Sequence, residues 1–171
     1  MSDSVVLRVE DVSHDYAVAG GRRRILHDVS LSVEAGRTLA VVGESGAGKS
    51  TLTRLVAGLE RPTGGRVAVN GESPALRVGV TSPVQMVFQN PLEALNRFVS
   101  VGANVREALK HLPRRERPGR VAELLEQVGI SAARAGDKPR AFSGGQLQRI
   151  VIARALGAEP KLLLCDEPTS A

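Results

Sequence analysis

Apolar and polar positions alternate through Val5–Val9 and on into Glu10-Asp11-Val12, the period of a half-buried strand. A second alternating stretch lies within Ile25–Val33, as Asp28-Val29-Ser30-Leu31-Ser32-Val33. Between them Ala17–Arg24, with Gly20-Gly21, reads as a turn. Ala35-Gly36 then turns the chain into Thr38–Val42, a short apolar run rich in β-branched residues, as in a buried parallel strand. From Lys49 onward the apolar residues fall at Leu52, Leu55, Val56 and Leu59, which is helical spacing. Arg61–Gly65 is a turn, Arg66–Val69 a strand and Asn70-Gly71 a hairpin-type turn. Residues 72–82 carry no defined pattern. Val84–Phe88 is a further strand, ending at Gln89-Asn90-Pro91.

The pattern then changes to mostly helical over residues 92–156. Val101–Leu112 and Val121–Val128 have helical apolar spacing, and Pro113 and Pro118-Gly119 are expected to break the segment between them. Ser143 is placed to cap a helix running to about Leu156. Leu162–Cys165 forms a last apolar strand, ending in Asp166-Glu167-Pro168. The elements predict an α/β protein with a helical subdomain inserted into a sheet domain.

Between the Thr38 strand and the following helix, Gly43–Ser50 reads G-x-x-x-x-G-K-S. Gly43, Gly46 and Gly48 let the backbone take conformations that other residues resist. Across Gly43, Glu44, Ser45, Gly46, Ala47 and Gly48 this turns successive N–H groups inward as an anion nest. The helix start adds unpaired N–H groups and a positive dipole end. Lys49 can reach the β- and γ-phosphates of a nucleotide, the Ser50 hydroxyl can ligate Mg²⁺, and Thr51 begins the helix near the α-phosphate.

Composition bounds the alternatives. The 171 residues suffice for one domain with a sizeable core. The net charge is +5, and Arg supplies 19 of the 23 basic residues, scattered apart from Arg22-Arg23-Arg24 and Arg114-Arg115-Glu116-Arg117. With one Tyr and three Phe, no aromatic interleaving supports stacking on single strands, so the sequence argues against nucleic acid as a partner. One cysteine excludes an internal disulfide and fits a reducing compartment; Cys165 is expected in the core. No apolar run approaches a bilayer span, so a link to a membrane is expected to come through a partner.

Asp166-Glu167 after four apolar residues is a Walker B pattern, with the carboxylates fixed at the C-terminal end of a strand. Asp166 would hold Mg²⁺ and Glu167 would act as the general base on the attacking water. With Phe142-Ser143-Gly144-Gly145-Gln146 added, the sequence resembles the ATP-binding subunit of an ABC transporter over essentially its whole length. The order of P-loop, glutamine loop, signature and Walker B is the family's. The resemblance implies an ABC ATPase core with an N-terminal antiparallel β subdomain. It implies a single domain divided into residues 1–91, a helical signature segment 92–156, and a Walker B strand in 157–171. It also implies that Ser143, Gly144, Gly145 and Gln146 of one subunit cover ATP held by the P-loop of another. Tyr16 looks like the aromatic that stacks on adenine. Gln89 looks like the glutamine that approaches Mg²⁺ and water and relays the nucleotide state to membrane subunits. The run Gln89–Asn96 is similar to that of oligopeptide, dipeptide and nickel importer ATPases, with Arg97 where those usually have Pro.

In that family the chain continues beyond Walker B with a further core strand and a switch histidine. None of His14, His27 and His111 follows Walker B here. The resemblance therefore implies a chain lacking the C-terminal part of the core, poorly stable and nearly inactive alone. His27 and His111 are expected in solvent. The partners implied are transmembrane permease subunits and a second ATP-binding subunit, at the cytoplasmic face of the membrane. Two other readings stay open: a soluble ABC ATPase acting on nucleic acid or ribosomes, and a non-hydrolysing nucleotide-binding fragment.

Overall fold

The computed structural model describes residues 5–74, 82–88 and 90–165. The chain divides into two compact units, one reaching to Val84 and the other starting at Gln85.

The first unit is built on an antiparallel sheet of order β2-β1-β3, with β1 spanning Val5–Val18, β2 Gly21–Glu34 and β3 Gly64–Val69. Leu7 lies opposite both Val33 and Val69, and Val9 opposite Val67, so one face of the sheet collects these buried side chains. Helix α1, Lys49–Val56, packs against β2 and β3 through its buried Leu52, Leu55 and Val56. Burying a side chain of that size contributes about 1.5–3 kcal/mol.

The β1–β2 hairpin is longer than the sequence pattern suggests. Val18 pairs directly with Gly21, and the stretch expected as a turn is strand on both sides. Its charged residues are satisfied at the surface, where Arg24 donates to both carboxylate oxygens of Asp15. That bond from Arg24 holds the Asp15 carboxyl below its ordinary range. Alternation is interrupted where Asp11 and Asp28 take positive φ, 48° and 47°. There the Ser13 hydroxyl donates to Asp28 Oδ1 at 2.7 Å and accepts from the Asp28 N–H at 3.0 Å. The bulged register accounts for consecutive buried residues Val12, Ser13 and His14 in a strand that should alternate. At Asn70-Gly71 both φ values are positive, as a two-residue hairpin turn requires, and Val69 and Glu72 exchange backbone bonds across it.

The expected strand Thr38–Val42 does not form. Residues 37–44 have no strand assignment, and Val42 is 91% exposed. A strand exists only where a neighbour supplies ladder hydrogen bonds, and no segment among the described residues pairs with 38–42. Apolar, β-branched composition selects extended backbone but cannot make a sheet by itself.

The second unit is mainly helical, with α2 Pro91–Ala94, α3 Val101–Arg106, α4 Arg117–Gln127 and α5 Gly144–Gly157, and a two-stranded sheet of β4, Val84–Val87, with β5, Leu162–Cys165. Helix α5 packs against α2, α3 and α4. Val101, Val105, Leu109, Leu124, Leu125 and Ile150 are fully buried in this core. The expected break between the two helical stretches falls around Pro113, between Leu109 and Arg117, whereas Pro118-Gly119 lies within α4: Pro118 is in its first turn, where its missing N–H costs nothing. Buried Asn104 is fully used: Oδ1 accepts from the Asn96 N–H, and Nδ2 donates to the Asn96 and Ser100 carbonyls. Cys165 was expected in the core and is exposed at the end of β5. His27 and His111 lie at the surface as expected, whereas His14 is buried, 6% exposed.

Candidate functional site

The glycine-rich segment leads into α1 through Gly48, which is the helix N-cap with φ 95°. That φ favours glycine, and a Cβ there would stand 2.7 Å from the Leu26 side chain. Gly46, with φ 83°, opens the loop in the same sense. Gly43, Glu44, Ser45, Gly46 and Ala47 are exposed, and the only backbone bond closing the loop on itself runs from the Ala47 N–H to the Glu44 carbonyl at 3.2 Å, among the described residues.

No side chain caps α1. Among the described residues its first N–H groups therefore have no protein acceptor, and they lie at the positive end of the dipole. Lys49 Nζ curls over the loop and donates to the Gly43 carbonyl at 2.6 Å and the Glu44 carbonyl at 2.8 Å. The exposed Ser50 hydroxyl makes no hydrogen bond among the described residues. Thr51 is buried against the sheet. This arrangement concentrates an ammonium, a set of unpaired N–H groups and a helix dipole on one concavity, which suits the oxygens of a polyphosphate. Ser50, an oxygen donor at its edge, suits a hard cation such as Mg²⁺.

Tyr16 lies in the same unit, near the end of β1. Its hydroxyl donates to Glu60 Oε2 at 2.7 Å and stands 3.5 Å from Thr51 Oγ1. His14 Nε2 is 3.3 Å from the same Glu60 oxygen, and Arg54 reaches Glu60 Oε1 at 3.4 Å. The His14 and Tyr16 rings meet edge to face, 4.8 Å between centroids. Nothing in the local sequence pattern points to Glu60, which lies 44 residues from Tyr16 with no periodic relation to it.

In the second unit, Ser143 and Gln146 form a capping box at the start of α5. Ser143 Oγ accepts from the Gln146 N–H at 3.3 Å, and Gln146 Oε1 accepts from the Ser143 N–H at 3.0 Å. The cap agrees with the expected role of Ser143, and the helix runs to Gly157, one residue past the expected end. Gly144 and Gly145 are exposed, with no atom within 4 Å of where a Cβ would be. Phe142 anchors the preceding turn: it is buried, with the Arg134 guanidinium 3.9 Å over its ring. Gln148, six residues on, is also buried and donates to the Phe88 carbonyl. Gln89, Asp166 and Glu167 lie outside the described residues. Among the described residues no cluster of His, Cys, Asp or Glu could hold a metal by itself, and no helix is long and apolar enough to cross a membrane.

A glycine-rich phosphate cradle opening a helix, in an α/β chain with a helical segment, defines a P-loop nucleoside-triphosphatase fold. Within that class, the ABC transporter family model matches residues 26–170, and the chain belongs to this family. It is 41% identical over 178 residues to the nickel import ATP-binding protein NikE of Escherichia coli O157:H7, covering 96% of this chain and 66% of NikE. It is 43% identical over 180 residues to the di/tripeptide transport ATP-binding protein DppF of Pseudomonas aeruginosa (strain UCBPP-PA14), covering 97% of this chain and 56% of DppF. The chain thus spans somewhat under two thirds of the length of these curated relatives. Among solved structures it is similar to the ATP-binding cassette MJ0796, seen as a dimer in a post-hydrolysis state bound to ADP and Pi. There the TM-score is 0.82 and the identity 30%, over 96% of this chain and 75% of that one. It is equally similar to cbiO1 from Clostridium perfringens, part of the ABC transporter complex cbiONQ, with TM-score 0.84 and 30% identity over 98% and 67% of the two chains.

Proposed function

We propose that this chain is the ATP-binding and ATP-hydrolysing part of an ABC importer, acting as a single nucleotide-binding domain whose helical signature segment is 92–156. The observation that carries the reading is the uncapped start of α1 with Lys49 folded over the Gly43 and Glu44 carbonyls. On ATP binding the Lys49 ammonium exchanges those carbonyls for the β- and γ-phosphate oxygens, a stronger match of charge. Gly43, Glu44, Ser45, Gly46, Ala47, Gly48 and Thr51 supply the backbone and first-turn groups around the phosphates. Ser50, with Gln89 and Asp166, would hold Mg²⁺, which when bound neutralises charge on the phosphates. Glu167 takes the proton of the attacking water, and Gln89 orients that water.

The α5 start offers a second set of N–H groups. The capping box uses the Gln146 N–H and leaves those of Gly144 and Gly145 facing solvent. In this reading Ser143–Gln146 close over a nucleotide held by a second ATP-binding subunit, so that two sites are shared head to tail. Work is delivered to transmembrane permease subunits at the cytoplasmic face of the membrane. The likeness to NikE and DppF favours nickel or short peptides as the transported solute.

The test is a Glu167→Gln variant of the full-length protein. ATP with Mg²⁺ should convert it to a stable dimer on size exclusion while hydrolysis stops. Unchanged turnover removes Glu167 as the base. Co-purification with nucleic acid and without permease subunits refutes the transport reading.

A further inference from the structure

Two groups meet the hydroxyl of Tyr16: Glu60, four residues past the end of α1, accepts from it at 2.7 Å, and Thr51, in the first turn of α1, is 3.5 Å away. His14, on β1, packs edge-on against the ring. The Glu60 carboxylate is itself fixed, with His14 Nε2 3.3 Å from Oε2 and Arg54 at Oε1. We propose that Glu60 is a positioning residue that locks the Tyr16 ring beside the phosphate-binding helix, so that the ring is a preset platform for the nucleotide base. This rests on the reading of Tyr16 as the base-stacking aromatic.

The physical argument is one of preorganisation. An aromatic side chain tethered only at Cβ has several rotamers, and stacking a base on it costs the freedom to leave the productive one. A carboxylate accepting from the phenol is a charge-assisted bond, among the stronger kinds available at a half-exposed site. Anchoring that bond on Glu60, in the turn that closes α1, ties the base platform to the segment that carries the phosphate cradle. A ligand with a base then profits from Glu60, and a ligand of phosphates alone does not.

The experiment measures equilibrium binding by calorimetry on the full chain, with two probes: ATP and inorganic triphosphate. Tyr16→Phe keeps the ring and removes the hydroxyl; Glu60→Ala removes the acceptor. Each should weaken ATP about fivefold, the scale of one lost hydrogen bond, and leave inorganic triphosphate unchanged. The double variant should be no weaker than either single one, because both break the same contact. Glu60→Gln, which keeps an acceptor for the phenol, should recover most of the loss. If Tyr16→Ala weakens ATP while Tyr16→Phe and Glu60→Ala do not, the ring stacks without help and the positioning role is refuted. If Glu60→Ala weakens both probes equally, Glu60 supports α1 in general and the proposal is again refuted. If Tyr16→Ala itself leaves ATP binding unchanged, the base-platform reading fails, and the role of Glu60 falls with it.

Discussion

Replacing Lys49 by Met tests the phosphate cradle most directly. The side chain keeps its length and apolar stem and loses the ammonium. That ammonium makes two bonds, at 2.6 and 2.8 Å, to carbonyls of an exposed loop. Water replaces both, so the cost to folding should stay below about 0.5 kcal/mol, a melting shift of roughly 1–2 °C for a domain of this size. Binding is different. A unit charge about 4 Å from a phosphate charge is worth about 4 kcal/mol at an effective dielectric near 20. Stripping water from the ammonium and the phosphate as they pair offsets about 2 kcal/mol of that. The net loss of about 2 kcal/mol corresponds to roughly 30-fold weaker ATP binding. Calorimetric titration of wild type and Lys49→Met with ATP, beside thermal melts of both, measures the two numbers. A dissociation constant within threefold of wild type would refute the cradle. So would a large loss of melting temperature, since it would mean that the lysine is part of the fold rather than of the site.

Three further outcomes are expected. Ser143→Ala removes one half of the capping box and should cost about 1 kcal/mol in denaturant unfolding of the helical unit; no change would mean that solvent caps α5 equally well. Leu124→Ala opens a cavity in the fully buried core between α4 and α5 and should cost about 2–5 kcal/mol, read from the same unfolding curves. The Asp15 carboxyl is held below its usual range by the bond from Arg24, so its contribution is present above the unfolded-state value and is lost as pH falls through the lower folded-state value. An NMR titration should find Asp15 low in the wild type and higher in Arg24→Ala; an unshifted carboxyl in the wild type would remove the pair.

Local signals carried a good part of this protein. The α1 pattern, the Ser143 cap, the Asn70-Gly71 turn and the apolar β5 strand depend on residues within a few positions of one another, where backbone sterics and capping chemistry are decided. The G-x-x-x-x-G-K-S loop was legible for the same reason: its glycines and lysine act within eight residues. Pro118 misled because the same residue that stops a helix in its interior is welcome in its first turn, and only the packing of α4 fixes where that turn starts.

What the tertiary structure alone decided is whatever needs a partner far along the chain. Thr38–Val42 has the composition of a buried strand, and composition supplies no acceptor for its N–H groups, so it remains unpaired among the described residues and exposed. The bulges at Asp11 and Asp28 move His14 into the interior against the alternation that sequence suggests. The meeting of Tyr16 with Glu60 across 44 residues follows from the pairing of β1 with β3 and the docking of α1 on the sheet, not from either residue's neighbours. Sequence determines which chemistry is available at each position, because that is a property of side chains and short backbone runs. Tertiary packing determines which of those groups face one another, because a contact is a property of two segments and a sequence pattern describes only one.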